Sequence, residues 1–349
     1  MIVHYMKNKF IKILLFITLI GCAQVTSLNL KKHQFGKLPV KIVWLQVAGL
    51  TEEHLAMLKY SYPTVDVKTS FENSLCMGKT WAYNLYDIRP EASSGFLSQI
   101  TGKKNIKNSC EDFKLQPIWS YMLPKGYKVG IFEGESGQKQ SLLYSRSSCN
   151  NNDFLKDVHF WRMDKKAPSG SKDFHVEAIS NFYPNEVYYD KSCLSGECFT
   201  TVANNVTKVF ESFSRNTNNY LYIVRNFKYA QKIKENRVSE ARDELTQLNK
   251  IVAYFQGLAN KRNDFLLLVT SAEPVHTEFP RSGKEWGAYE KAGKFFKAKK
   301  SNLMGTVMVS GARAENFCGI YDQSDILPRI FSGAKQQGLE LTIINPFQQ

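Results

Sequence analysis

From Arg237 to Leu258 the apolar residues Val238, Ala241, Leu245, Leu248, Ile251, Val252, Phe255 and Leu258 fall three and four apart, the spacing of one buried face on a long helix. The stretch Asn260-Lys-Arg-Asn-Asp264 then leads straight into Phe265-Leu-Leu-Leu-Val-Thr270, which reads as a strand. A strand, long helix, strand order predicts an α/β fold: a mostly parallel sheet sandwiched by helices. Lys41-Ile-Val-Trp-Leu-Gln-Val-Ala48, nearly all apolar and closed by Gly49, fits a strand buried on both faces of such a sheet. Glu52 to Lys59 reads as a short helix, and Tyr127–Phe132, Tyr220–Val224 and Thr306–Ser310 read as further strands. With 349 residues, 43% of them hydrophobic, the chain has the apolar material for a large core, which excludes disorder as its main state.

The first residues are built differently. Lys7, Lys9 and Lys12 precede the unbroken run Ile13-Leu-Leu-Phe-Ile-Thr-Leu-Ile20, which is shorter than the roughly 20 apolar residues of a membrane span and ends in Gly21-Cys22. This is an export signal, and Leu19-Ile20-Gly21-Cys22 resembles a bacterial lipobox. The resemblance implies a signal peptide over 1–21, lipidation of Cys22 by diacylglyceryl and amide-linked acyl chains such as palmitate, and a polar tether over 22–37. Ala23 in place of Asp then favours the outer over the inner membrane, within a cell-envelope, periplasm-facing location. Removing the three leader lysines takes the formal charge from +14 to +11. That excess favours anionic partners, namely an anionic glycan, phospholipid or an acidic face of an envelope protein. No motif is specific for nucleic acid.

Six cysteines remain once Cys22 is set aside: Cys76, Cys110, Cys149, Cys193, Cys198 and Cys318. An even number in an oxidising compartment predicts three disulfides; Cys193 and Cys198 can close a small loop, while the remaining pairings stay open because six cysteines allow fifteen connectivities. No C-x-x-C or H-E-x-x-H occurs, and His33, His54, His159, His175 and His276 are scattered, so no metal-ligand spacing is present. The region from about 135 to 215, rich in Ser, Asn, Tyr and Lys, reads as a disulfide-containing insertion within one domain over 38–349. Cys76-Met-Gly-Lys-Thr80 contains Gly-Lys-Thr but has Asn73 where a phosphate loop needs glycine, so it reads as a plain loop. Lys103, Lys104 and Lys107, like Lys297-Ala-Lys-Lys300, form basic clusters able to meet anionic lipid or glycan, although a solvated face is the commoner origin of such a run.

Five stretches resemble the alkaline phosphatase-like superfamily, which includes sulfatases and phosphodiesterases. They are Lys41–Leu50, like the opening strand that ends in Asp-Gly; Pro90–Lys103, like the helix that starts at the nucleophile and ends in Thr-Gly; and Leu221–Asn226, like a ligand-bearing strand. The other two are Glu240–Lys250 running into Asp264–Glu273, and Gly311–Gln323 followed by Asp325. Together they span roughly 40 to 335. In that family two divalent ions, usually zinc, activate a hydroxyl nucleophile.

Residue by residue, the resemblance implies loss. The nucleophile position holds Ala92, and the metal-ligand positions hold Ala48, Asn226, Ala272, Glu273 and Lys300. The expectation is therefore no cofactor and a catalytically inactive binding or scaffolding protein, a degenerate member of the superfamily. The alternative is an active, zinc-dependent phosphatase or sulfatase-like hydrolase using displaced residues: Ser93 or Ser94 as nucleophile, with Glu91, Glu273 and His276 as ligands. Ser93 and Ser94 otherwise read as helix caps, and Glu273 and His276 as solvated. A third alternative is an unrelated α/β surface protein.

Overall fold

The computed structural model describes residues 39–60, 68–134, 137–175, 182–195, 198–294, 296–337 and 340–344. The leader, the tether and the lipidation position Cys22 lie outside them. Fourteen strands lie among the described residues: β1 (Lys41–Ala48), β2 (Cys76–Trp81), β3 (Lys128–Glu133), β4 (His159–Arg162), β5 (Lys172–Asp173), β6 (Val187–Tyr189), β7 (Tyr220–Asn226), β8 (Phe265–Ala272), β9 (Val275–Glu278), β10 (Lys297–Ser301), β11 (Met304–Gly311), β12 (Gly319–Asp322), β13 (Gly333–Gln337) and β14 (Glu340–Ile344). Ten make one sheet in the order β12-β2-β11-β8-β1-β7-β3-β4-β6-β5, and β9 with β10 and β13 with β14 form two separate antiparallel pairs. Within the large sheet every neighbour pairing is parallel except those of β11 with β8 and β2.

Because side chains alternate across a strand, each central strand feeds two cores. Val43, Leu45 and Val47 of β1 meet Leu245, Leu248, Val252 and Phe255 of the Val238–Ala259 helix on one face. Ile42 and Trp44 meet Leu97 and Ile100 of the Ala92–Thr101 helix and Ile326 and Ile330 of the Ile326–Phe331 helix on the other. The expected α/β sheet with helices on both faces is what forms, and the long helix runs as its apolar spacing requires.

The 135–215 region supplies β4, β5 and β6, which extend the parallel sheet beyond β3, and the Val202–Phe213 helix, whose Val206, Val209, Phe210 and Phe213 enter the first core. Tyr188 and Tyr189 are buried, while Tyr183 is exposed. Disulfides join Cys76–Cys318, Cys110–Cys149 and Cys193–Cys198. The Gly-Lys-Thr segment is a strand rather than a loop. Cys76, Gly78 and Thr80 turn inward, and Gly78 lies so close to the Phe317 carbonyl that a Cβ would approach it to 2.1 Å. Gly78 stands there because the neighbouring backbone leaves no room for a side chain.

Candidate functional site

The strands β8, β1, β7 and β3 lie side by side, so their carboxyl ends form one row: Ala272 pairs with Ala48, Val47 with Asn226, and Arg225 with Glu133. Such a row, outside the carboxyl ends of parallel strands, is where open α/β sheets bind ligands. The Ala92–Thr101 helix begins against it. Gly95 makes this possible, since a Cβ there would stand 2.7 Å from the Ala272 Cβ. Ala48, Ala92 and Ala272 thereby come together with Phe96, Phe227 and Ala230 in one buried apolar cluster. Above it opens a cleft of about 610 Å³, lined by Ala48, Ala92, Phe227 and Ala230 below and by Gln140, Asp164, Lys165, Lys166, Gln231, Lys234, Glu235 and Glu273 around the rim.

Beside the methyl-lined floor lies an internal ion pair. Arg225 Nη1 donates to Glu133 Oε1, and both residues are fully buried. Glu133 also accepts from the Leu142 N–H at 2.9 Å and from the Ser141 hydroxyl. The guanidinium lies 5.0 Å from the Phe227 ring centre and 5.7 Å from that of Phe96. Burial lowers the Arg225 pKa, and the Glu133 carboxylate opposes that shift. The pair is internal, its charges compensate each other, and Arg225 Nε is left without a hydrogen-bond partner among the described residues.

Glu273 is not solvated as its type suggests. Its Oε2 accepts from the Ala92 N–H at 3.2 Å and its Oε1 from Lys234 Nζ at 2.5 Å. With φ +50 it holds a left-handed backbone that costs a non-glycine residue on the order of 1 kcal/mol. The carboxylate sits where the first turn of a helix favours an anion, so the chain fills that place with its own negative charge.

The remaining positions have structural partners. Asn226 Nδ2 donates to Glu244 Oε1 at 2.6 Å, and Asn226 Oδ1 accepts from the Tyr229 N–H at 3.1 Å. Lys300 falls on β10, with its side chain outside the described ones. Ser93 and Ser94 are not caps. The cap position is Glu91, and the two serines lie inside the first turn, buried, with Ser93 Oγ lacking a partner among the described residues. Glu91 is exposed and accepts weakly from Asn108 at 3.5 Å, while His276 on β9 meets Glu53 at 3.2 Å. Glu91, Glu273 and His276 do not converge. Among the described residues one group of three metal-capable side chains exists, Asp190, Cys193 and Cys198, and it is incomplete as a metal site. Its two sulfurs are joined to each other, and Asp190 accepts from Asn205 at 2.8 Å and from Ser192, and contacts His175 at 3.1 Å. Sequence reasoning missed the Arg225–Glu133 pair and the Lys234–Glu273 contact. A charged residue at the end of an otherwise apolar strand, as in Leu221-Tyr-Ile-Val-Arg225, was the signal for the first.

No family model matches the sequence, and no curated protein matches it. The architecture does have a match: this is the alkaline phosphatase fold. The alkaline phosphatase of the Antarctic bacterium TAB5 superposes with a TM-score of 0.61 at 13% identity, over 85% of this chain and 98% of that one. The cold-active alkaline phosphatase of Shewanella sp. gives 0.60 at 12% identity over 83% and 98%, and the Thermus thermophilus alkaline phosphatase 0.59 at 10% over 89% and 94%. At such identities the likeness is one of fold.

Proposed function

We propose that this chain is a cell-envelope lipoprotein, acylated at Cys22, whose alkaline phosphatase-like domain has lost hydrolysis and binds an anionic ligand, a glycan or a phospholipid headgroup, at the cleft over the strand ends. The observation that carries the reading is the meeting of Ala48, Ala92 and Ala272 in one apolar cluster beneath that cleft. Methyl groups neither attack nor coordinate. With Asn226 committed to Glu244, and Glu273 to Lys234 and the Ala92 N–H, the donors at these positions do not fit a two-metal centre. Binding falls to the rim, where Lys165 and Lys166 are exposed and form no ion pair among the described residues.

The test is metal analysis of the purified full chain together with hydrolysis of a chromogenic phosphate ester, repeated with added zinc. The expected outcome is no stoichiometric metal and no rate above the uncatalysed one. A zinc-dependent rate abolished by Ser93→Ala or Ser94→Ala would establish the displaced-residue hydrolase instead.

A further inference from the structure

The segment between β2 and the Ala92–Thr101 helix presents apolar side chains outward. Leu85 is 67% exposed, Tyr86 59% and Ile88 71%, three large apolar side chains grouped on one turn rather than scattered singly. The segment is not slack. Asn84 is buried, and its Oδ1 accepts from the Tyr86 N–H at 2.8 Å and the Asp87 N–H at 2.7 Å, while the Asn84 N–H reaches the Asp87 carbonyl at 2.9 Å. The Leu85 N–H donates to the Lys104 carbonyl at 3.0 Å and the Arg89 N–H to Asp87 Oδ1 at 2.8 Å. The turn is thus held by bonds of the Asn84, Tyr86, Asp87 and Arg89 N–H groups within it and of the Leu85 N–H to Lys104, while the Ile88 N–H has no partner among the described residues.

Cationic residues flank this tip, whose own Asp87 is exposed between Tyr86 and Ile88. Lys104 Nζ stands 5.0 Å from the Tyr83 ring centre and Lys107 Nζ 5.6 Å from that of Tyr86. Lys104 is paired with Asp322, whereas Arg89, Lys103 and Lys107 are exposed and make no ion pair among the described residues. Apolar and aromatic tips flanked by long cationic side chains match a bilayer surface in layers: rings and aliphatic groups at the acyl boundary, amines at the phosphates. Two copies meeting symmetrically through the same tip would instead bring their flanking cations together.

We propose that this turn and its flanking cations form a docking surface for an anionic lipid bilayer, independent of any acyl anchor. Ile88 precedes the cleft residue Ala92 by four residues, about 14 Å of chain at most, so docking would hold the cleft close to the headgroup layer.

The experiment uses the full chain bearing Cys22→Ala, which blocks acylation, sedimented with vesicles of phosphatidylglycerol and phosphatidylcholine or of phosphatidylcholine alone. A second form adds Leu85→Ser, Tyr86→Ser and Ile88→Ser, and a third adds Lys103→Glu and Lys107→Glu. These sites are exposed, and matching circular dichroism checks that folding is intact. The leader over 1–21 is cleaved from all three forms before the measurement, so that its apolar run does not itself carry the chain to the vesicles. The expected result is that both substituted forms lose tenfold or more in affinity for the anionic vesicles, and that binding of the first form weakens with added salt and on phosphatidylcholine alone. Equal sedimentation of all three forms would overturn the proposal. So would a change limited to loss of a dimer in sedimentation velocity, which would assign the tip to a second copy of the chain.

Discussion

Ala48 and Ala272 face each other across β1 and β8 at the floor of the cleft, each with about 1% or less of its surface exposed. A carboxylate at either place would be buried without a cation, and such a group either costs several kcal/mol or takes up a proton. Ala48→Asp should therefore lower stability by about 3 kcal/mol at pH 8 and by less at pH 5, where the introduced acid is neutral. Urea unfolding at the two pH values checks this. Recovery of stability on adding zinc would reveal a set of donors that Asn226 and Glu273, as bonded here, do not supply. The residues of the floor were legible because their types, aligned to the resemblance, name what is missing. The contacts of Glu273 were not, because a left-handed φ and a bond to the Ala92 N–H, 181 positions away, leave no mark on composition or spacing.

Strands and helices with a strong apolar period were readable from their own residues: the Val238–Ala259 helix and β1, β7, β8 and β11 lie within a few residues of their expected bounds. Where partners define an element, reading failed. β2 carries Gly-Lys-Thr and earns its strand conformation from pairing with β11 and β12. The serines Ser93 and Ser94 of the Ala92–Thr101 helix sit within its first turn rather than at its cap, because Glu91 holds the cap position. Disulfides belong to this scale as well: Cys193–Cys198 closes the small loop its spacing allowed, whereas Cys76–Cys318 and Cys110–Cys149 tie elements whose proximity the sequence does not state. Cys76–Cys318 links positions 242 apart and Cys193–Cys198 positions 5 apart, so the first removes more freedom from the unfolded chain, by about 3 kcal/mol in loop-closure terms. Replacing Cys76 and Cys318 by alanine should depress the thermal midpoint well below that of the Cys193→Ala, Cys198→Ala chain. Equal midpoints would show that local packing, rather than chain entropy, sets the effect.

Across the whole molecule, two buried histidines set an acid limit. Burial pushes His54 down to about 3 and His159 down to about 4, each below the ordinary value of 6.5. Both stay neutral in the folded chain while their unfolded counterparts take up protons, so stability is full above pH 6.5 and falls as the pH drops towards those values. By pH 5 the loss is about 2 kcal/mol per histidine. Urea midpoints between pH 7.5 and 5 should drift down, and His159→Gln should lessen the drift; a flat profile would refute it. The sequence by itself determined the layered α/β class, the parallel central strands, the long helix and the identity of the residues at the cleft floor. These follow from period and residue type, which are properties of a segment or a position. Only the tertiary structure decided that β4, β5 and β6 extend the sheet, that Arg225 finds Glu133, that Glu273 turns to the Ala92 helix and which cysteines pair. Each of those depends on where distant segments stop relative to one another, and that is fixed when the two cores pack, not by any stretch of chain alone.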